Sequence, residues 1–173
     1  NKLKITKKLI KIHNKLQSIV ISGTHNDLDK VSVQLLADIK AVSAKIDDKP
    51  GRSAYNMRLS LAATTEFVQL FQQRNTPKSA NEQVMLACYA NLMVQSSSGS
   101  ASQTDQHCKS GRDRTYTAQL HEQAMKVYFA RHSKLPTPDD RGKTLTKTDK
   151  DDNIIQVDAR EEFVNIFADL FFL

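Results

Sequence analysis

The sequence predicts a mainly α protein with little or no sheet, and three observations carry that prediction. Apolar residues recur at intervals of three and four through six segments. Stretches rich in Pro, Gly, Ser, Asn and Asp separate those segments. A single short β-branched run, Ile154-Ile155-Gln156-Val157, reads as a strand. The alternative is an α/β protein with a small sheet. At 173 residues, with 39% apolar and 25% charged content, the chain suits a single domain over 1–173 that buries a core, so disorder throughout is not expected.

The first helix covers Leu3 to Val20, where Leu9, Ile12, Leu16 and Ile19 share one face. Lys2, Lys4, Lys7, Lys8, Lys11 and Lys15 crowd the remaining surface. Such a helix is either packed with a solvated lysine face or laid on a membrane, and packing is the favoured reading. After a turn at Ser22 to Asp27, a second helix runs from about Leu28 to Ile46, aligning Leu35, Ile39, Val42 and Ile46. Pro50 disfavours helix at the residue before it, so Asp47 to Gly51 closes the element. The third helix, about Ser53 to Arg74, gathers Tyr55, Leu59, Ala62, Ala63, Phe67, Leu70 and Phe71 as core.

Asn75 to Lys78 breaks the chain, and Ser79 with Glu82 spells a capping box for a fourth helix reaching about Met93. Cys88 lies on its apolar face and reads as a buried, inert thiol. A fifth helix, Thr115 to about Arg131, turns Leu120, Ala124, Val127 and Tyr128 inward. Residues 95–107 and 133–152 read as polar loops. Asp158 and Glu161 cap a last helix whose Phe163, Ile166, Phe167, Leu170 and Phe171 form a wide apolar stripe. That pattern stops at Leu173 without a capping residue, which reads as a fragment of a larger domain.

The net charge of +6 favours an acidic partner: nucleic acid, an anionic membrane surface or a polyphosphorylated small molecule. Aromatic residues are not interleaved with the basic ones and no recognised motif appears, which argues against nucleic acid. No run approaches the ~20 apolar residues of a membrane span, and the start lacks the apolar core of a signal peptide. Two cysteines make no disulfide framework, so a reducing, cytoplasmic compartment is expected. His13, His25, His121 and His132 show no metal-ligand spacing, and no metal or cofactor is expected.

The remaining stretch carries the chemistry: His107-Cys108-Lys109-Ser110-Gly111-Arg112-Asp113-Arg114-Thr115. A cysteine and an arginine five residues apart, with small and basic residues between, can fold as a loop whose backbone N–H groups form a nest for phosphate oxygens. Arg114 adds a two-pronged charge-assisted hydrogen bond, and a helix starting after the loop adds positive potential. A free thiol titrates near ~8.5, and those cations with a helix N-terminus lower that value. Cys108 is then a thiolate nucleophile at the base of a phosphate site.

These nine residues resemble the H-C-x-x-G-x-x-R-T signature of the cysteine phosphatase superfamily. The finer spelling, Cys108 to Thr115, is similar to the C-K-S-G-K-D-R-T loop of bacterial effector phosphoinositide phosphatases and of animal inositol polyphosphate 4-phosphatases, with Arg112 in place of lysine. The resemblance implies a phosphatase of phosphoinositides or inositol polyphosphates, delivered into host cells as a virulence effector and working in the cytosol or at its membranes. It implies that Thr115 donates a hydrogen bond to the cysteine sulfur and that Asp113 is the general acid, with a structural role for Asp113 left open. Lys109 and Arg112, with Ser110 and Gly111 in the loop, suit a ring that carries further phosphates. The usual superfamily fold is a parallel sheet flanked by helices, so this chain reads as the helical region of such a catalytic domain.

Asp105 is a weaker acid candidate, and Pro138-Asp139-Asp140-Arg141-Gly142 reads as an exposed turn in preference to a mobile acid loop. Two other functions stay open: a protein tyrosine or dual-specificity phosphatase, and a non-catalytic helical module binding anionic lipid or polyphosphate. Beside the phosphoinositide or inositol polyphosphate substrate, peripheral contact with an anionic membrane is a further partner that the sequence leaves open.

Overall fold

The structure is a computed structural model that describes residues 7–8, 10–16, 18, 28–46, 50–72, 79–97 and 113–173. It is mainly helical, with one small antiparallel sheet. Helical residues 7–8, 10–16 and 18 form α1, followed by α2 (Leu28–Ser43), α3 (Arg52–Gln72), α4 (Ala80–Ser97) and α5 (Asp113–His132). A hairpin of β1 (Thr144–Thr148) and β2 (Ile154–Asp158) leads into α6 (Ala159–Phe171). The described residues fall into two compact units, one drawn from Asn1–Pro77 and Tyr89–Thr104, the other from Lys78–Cys88 and Asp105–Leu173.

In the first unit α3 is buried along two lines. Ala54, Met57, Leu61, Thr64 and Val68 follow one another at three and four, and Leu59, Ser60, Ala63 and Leu70 lie on a second side. The expected stripe is corrected accordingly, since Tyr55, Ala62, Phe67 and Phe71 are only partly buried. Two hydroxyl residues explain the difference. Thr64 Oγ1 donates to the Ser60 carbonyl at 2.7 Å and Ser60 Oγ to the Met93 carbonyl at 2.8 Å, so both polar residues enter the core with their hydrogen bonds satisfied.

α1 buries Ile12 and Leu16 in the same unit, as the packed reading expects, and His13 Nε2 lies 3.3 Å from Thr64 Oγ1. Leu35, Ile39 and Val42 of α2 are buried. α2 ends at Ser43, three residues before the expected Ile46, because the amides of Lys45 and Ile46 bond to Val42 and Ser43 in tighter turns.

In the second unit α4 starts on the expected capping box. The Glu82 amide donates to Ser79 Oγ at 3.2 Å and the Ser79 amide to Glu82 Oε2 at 2.6 Å. α4 runs to Ser97, past the expected Met93. Ala124 and Tyr128 of α5 pack with Leu145, Ala159 and Ile166 into a core that Phe163 and Phe167 flank.

The sheet corrects the polar-loop reading of 133–152, because β1 lies inside it. Leu145 pairs with Val157 and Lys147 with Ile155. Only Leu145 of β1 is buried, at 5% exposure, so a single apolar side chain anchors a strand of threonine and lysine. β2 lies where the β-branched run predicts. Asp158 ends β2 and caps α6, one carboxylate oxygen accepting from the Arg160 and Glu161 amides at 2.9 and 3.1 Å. Its other oxygen accepts from the Gly142 amide at 2.7 Å, where φ is +77° and glycine is needed. One side chain thereby fixes the entry to the hairpin against the start of the helix.

Candidate active site

α5 begins at Asp113, two residues before the expected Thr115, so the helix starts inside the motif. An acidic residue in a first turn complements the helix dipole, and the stretch from Asp113 to His132 contains neither Pro nor Gly. Asp113 and Arg114 are placed on the helical backbone. His107, Cys108, Lys109, Ser110, Gly111 and Arg112 lie outside the described residues, as does Asp105. The first four N–H groups of a helix have no intrahelical acceptor, so the end of α5 that adjoins the motif carries positive potential.

Thr115 stands in that first turn, and its Oγ1 is buried with no hydrogen-bond partner among the described residues. A buried hydroxyl left unpaired costs about 1–3 kcal/mol, an expense that a methyl group at the same place avoids.

Farther along α5, Cys88 of α4 meets the helix. Its Sγ lies 3.9 Å from the Ala118 carbonyl oxygen and 3.7 Å from His121 Nδ1. Burial, followed by the charge of Glu122, pushes this thiol up to about 12, so Cys88 is inert as the sequence predicts. Burial also lowers His121 to about 4, which leaves the ring neutral at physiological pH and without charge to stabilise a thiolate.

His121 lines a cavity of about 190 Å³ together with the apolar Met85, Phe163 and Phe167 and the charged Asp140 and Arg160. The Asp140 carboxylate is committed locally, accepting from the Thr137 amide at 2.9 Å and from Thr137 Oγ1 at 2.8 Å, with Lys143 Nζ at 3.6 Å. Asp140 therefore closes its own turn. Among the described residues no group of three or more His, Cys, Asp or Glu could hold a metal ion, and no helix is long and apolar enough to cross a membrane.

No protein-family model, curated protein or solved structure matches this chain. The chemistry rests on its own residues.

Sequence reasoning overlooked the far end of α5. Glu162, 2% exposed, accepts from Lys147 Nζ at 2.6 Å and from Arg131 at 3.4 Å, with His132 Nε2 at 3.2 Å. Burial alone raises a carboxyl pKa, yet the hydrogen bonds from Lys147 and His132, with their charges, outweigh it and hold Glu162 below its usual range. The signal was present in the spacing: Glu162 falls between Ala159 and Ile166, at three and four residues, on the buried side of α6. Tyr128 is buried nearby, and burial with the charges of Asp140, Glu162 and Asp158 raises its hydroxyl pKa.

Proposed function

We propose that the chain is a cysteine-dependent phosphatase of phosphoinositides or inositol polyphosphates. What supports the reading is one conjunction: the nine-residue motif His107 to Thr115 runs directly into a 20-residue helix whose first residue, Asp113, belongs to the motif. A phosphate held by that loop lies at a helix N-terminus.

In this mechanism the Cys108 thiolate attacks phosphorus in line with the leaving alkoxide. An S–P bond forms as the P–O ester bond breaks, and Asp113 protonates the departing oxygen. Arg114 and the loop amides hold the equatorial oxygens of the transition state. Water then attacks the phosphocysteine and gives its proton to Asp113, and Thr115 donates a hydrogen bond to the leaving sulfur. Inorganic phosphate departs and the thiolate is restored. Lys109 and Arg112 bind the other phosphates of the ring, while Ser110 and Gly111 let the backbone close around the reacting one.

Phosphate release from a panel of phosphoinositides, inositol polyphosphates and phosphotyrosyl peptides tests the reading. Release by the wild type that Cys108→Ser abolishes is the expected result. Full activity in Cys108→Ser, or turnover of phosphopeptides above that of every inositol substrate, would overturn it.

A further inference from the structure

Charge is distributed unevenly along the chain. Its formal net charge is +6, from 25 Lys and Arg against 19 Asp and Glu. Residues 1–26 hold six lysines and no acidic residue, and removing those six leaves 19 basic against 19 acidic residues. The remainder is formally neutral, so the whole surplus belongs to α1 and the residues before it.

The structure shows where three of those lysines lie on α1. Ile12 and Leu16, at 5% and 4% exposure, are already packed, so the side of α1 that they occupy is not open to a bilayer. Lys8, Lys11 and Lys15 are exposed and line one wall of a groove of about 250 Å³, with Leu35, Asp38 and Val42 of α2 among its other residues. None of the three lysines forms an ion pair among the described residues. Asp38, the acidic residue of that groove, accepts a hydrogen bond from Gln34 at 3.1 Å. Ile10, next to Lys11 on the water side, is 49% exposed.

We propose that Lys8, Lys11 and Lys15, along the groove between α1 and α2, dock this protein on the surface of an anionic phospholipid bilayer. Lysines are mobile point charges without the fixed fork of arginine, which suits a fluid array of headgroups better than one phosphate group of set geometry. The described residues of α1 include no Phe, Tyr or Trp on which a base could stack, and Ile10 offers a shallow apolar contact. Because the apolar side of α1 is occupied, binding is electrostatic and falls steeply with salt. The inference stands on α1 and α2 and is independent of the loop chemistry. Joined to the phosphatase reading, it selects a membrane-borne phosphoinositide over a soluble inositol phosphate.

The test is cosedimentation of the whole chain with phosphatidylcholine vesicles, with and without phosphatidylserine. Each lysine near an anionic surface is worth about fivefold in partitioning, so Lys8→Gln, Lys11→Gln and Lys15→Gln together should weaken binding by roughly 100-fold. A control of equal charge change, Lys134→Gln, Lys143→Gln and Lys150→Gln, should bind within about twofold of the wild type. Lysine acetylation of the wild type read by mass spectrometry gives a second measure that needs no variant: phosphatidylserine vesicles should protect Lys8, Lys11 and Lys15 and leave Lys134, Lys143 and Lys150 reactive. Equal binding to neutral vesicles, an equal fall in the control, unprotected α1 lysines, or displacement by a duplex oligonucleotide in place of anionic lipid would each overturn the proposal. None of these readings depends on phosphate release, so failure here and failure of the phosphatase reading are distinguishable.

Discussion

Glu162→Gln should destabilise the unit containing α5 and α6 by about 2–3 kcal/mol, less than the ~3–5 kcal/mol typical when one partner of a buried ion pair is removed. The Lys147 contact at 2.6 Å is a short charge-assisted hydrogen bond, a class worth about 1.5–3 kcal/mol. Arg131, with a side chain 52% exposed and 3.4 Å away, adds about 0–1 kcal/mol. Glutamine keeps one carbonyl acceptor in the same shape, and Lys147, 32% exposed, can turn to water once the charge is gone. His132 is enclosed, with a side chain 5% exposed, and loses its partner without such relief. For a chain of this size the loss corresponds to a fall of roughly 4–12 °C in Tm.

Urea denaturation of both proteins, followed by far-UV circular dichroism, measures the difference, and its pH dependence identifies the cause. The folded Glu162 carboxyl is held below its ordinary value of 4.5, so its contribution is complete above that pH and disappears as pH falls through the lowered folded value. The gap between wild type and Glu162→Gln should therefore be full at neutral pH and close in acid. A gap under about 0.5 kcal/mol at neutral pH, or one that persists unchanged at about pH 3, would refute the reasoning.

Two further outcomes follow from α5 and its neighbours. Thr115→Val removes a buried hydroxyl without a described partner, so stability should hold or rise by about 1 kcal/mol, while phosphocysteine accumulates because the sulfur leaves more slowly; rapid-quench trapping of the intermediate measures the second effect, and wild-type turnover would remove Thr115 from the mechanism. A thiol reagent near neutral pH should find one reactive cysteine, Cys108, in the folded protein and both after denaturation, because burial pushes Cys88 up to about 12; two fast thiols in the native state would contradict the packing of α4 on α5.

The helices were legible because their apolar residues recur at helical spacing and their breaks contain Pro, Gly or a capping box. The Ser79 and Glu82 box is an example in which sequence and hydrogen bonds agree. The α3 surface was less legible, since Ser60 and Thr64 enter the core by bonding their hydroxyls to carbonyls, and an apolar pattern does not register that. β1 was hidden for a related reason: register against β2 supplies its pairing, and Leu145 alone announces a buried face. Of the candidate site, the helix that follows the motif was legible from its own apolar spacing, while residues 107–112 lie outside the described ones. The burial of Glu162 could be read from its spacing, but its partners could not, because they come from α5 and β1, at sequence separations of 15 to 31 residues.

α5 connects the Glu162 cluster to the residues of the motif. Asp113 and Arg131 are 18 residues apart, which at ~1.5 Å per residue sets them about 27 Å from each other along the axis. The helix then acts as a lever arm, clamped by Glu162 at its C-terminal end and carrying the motif at the other. Releasing the clamp enough to tilt the rod by about 2° would move Asp113 by ~1 Å, which on the phosphatase reading is a misplacement that can cost about a hundredfold in rate. On the phosphatase reading, a charge cluster at one end of α5 would thereby set the aim of the residues at the other.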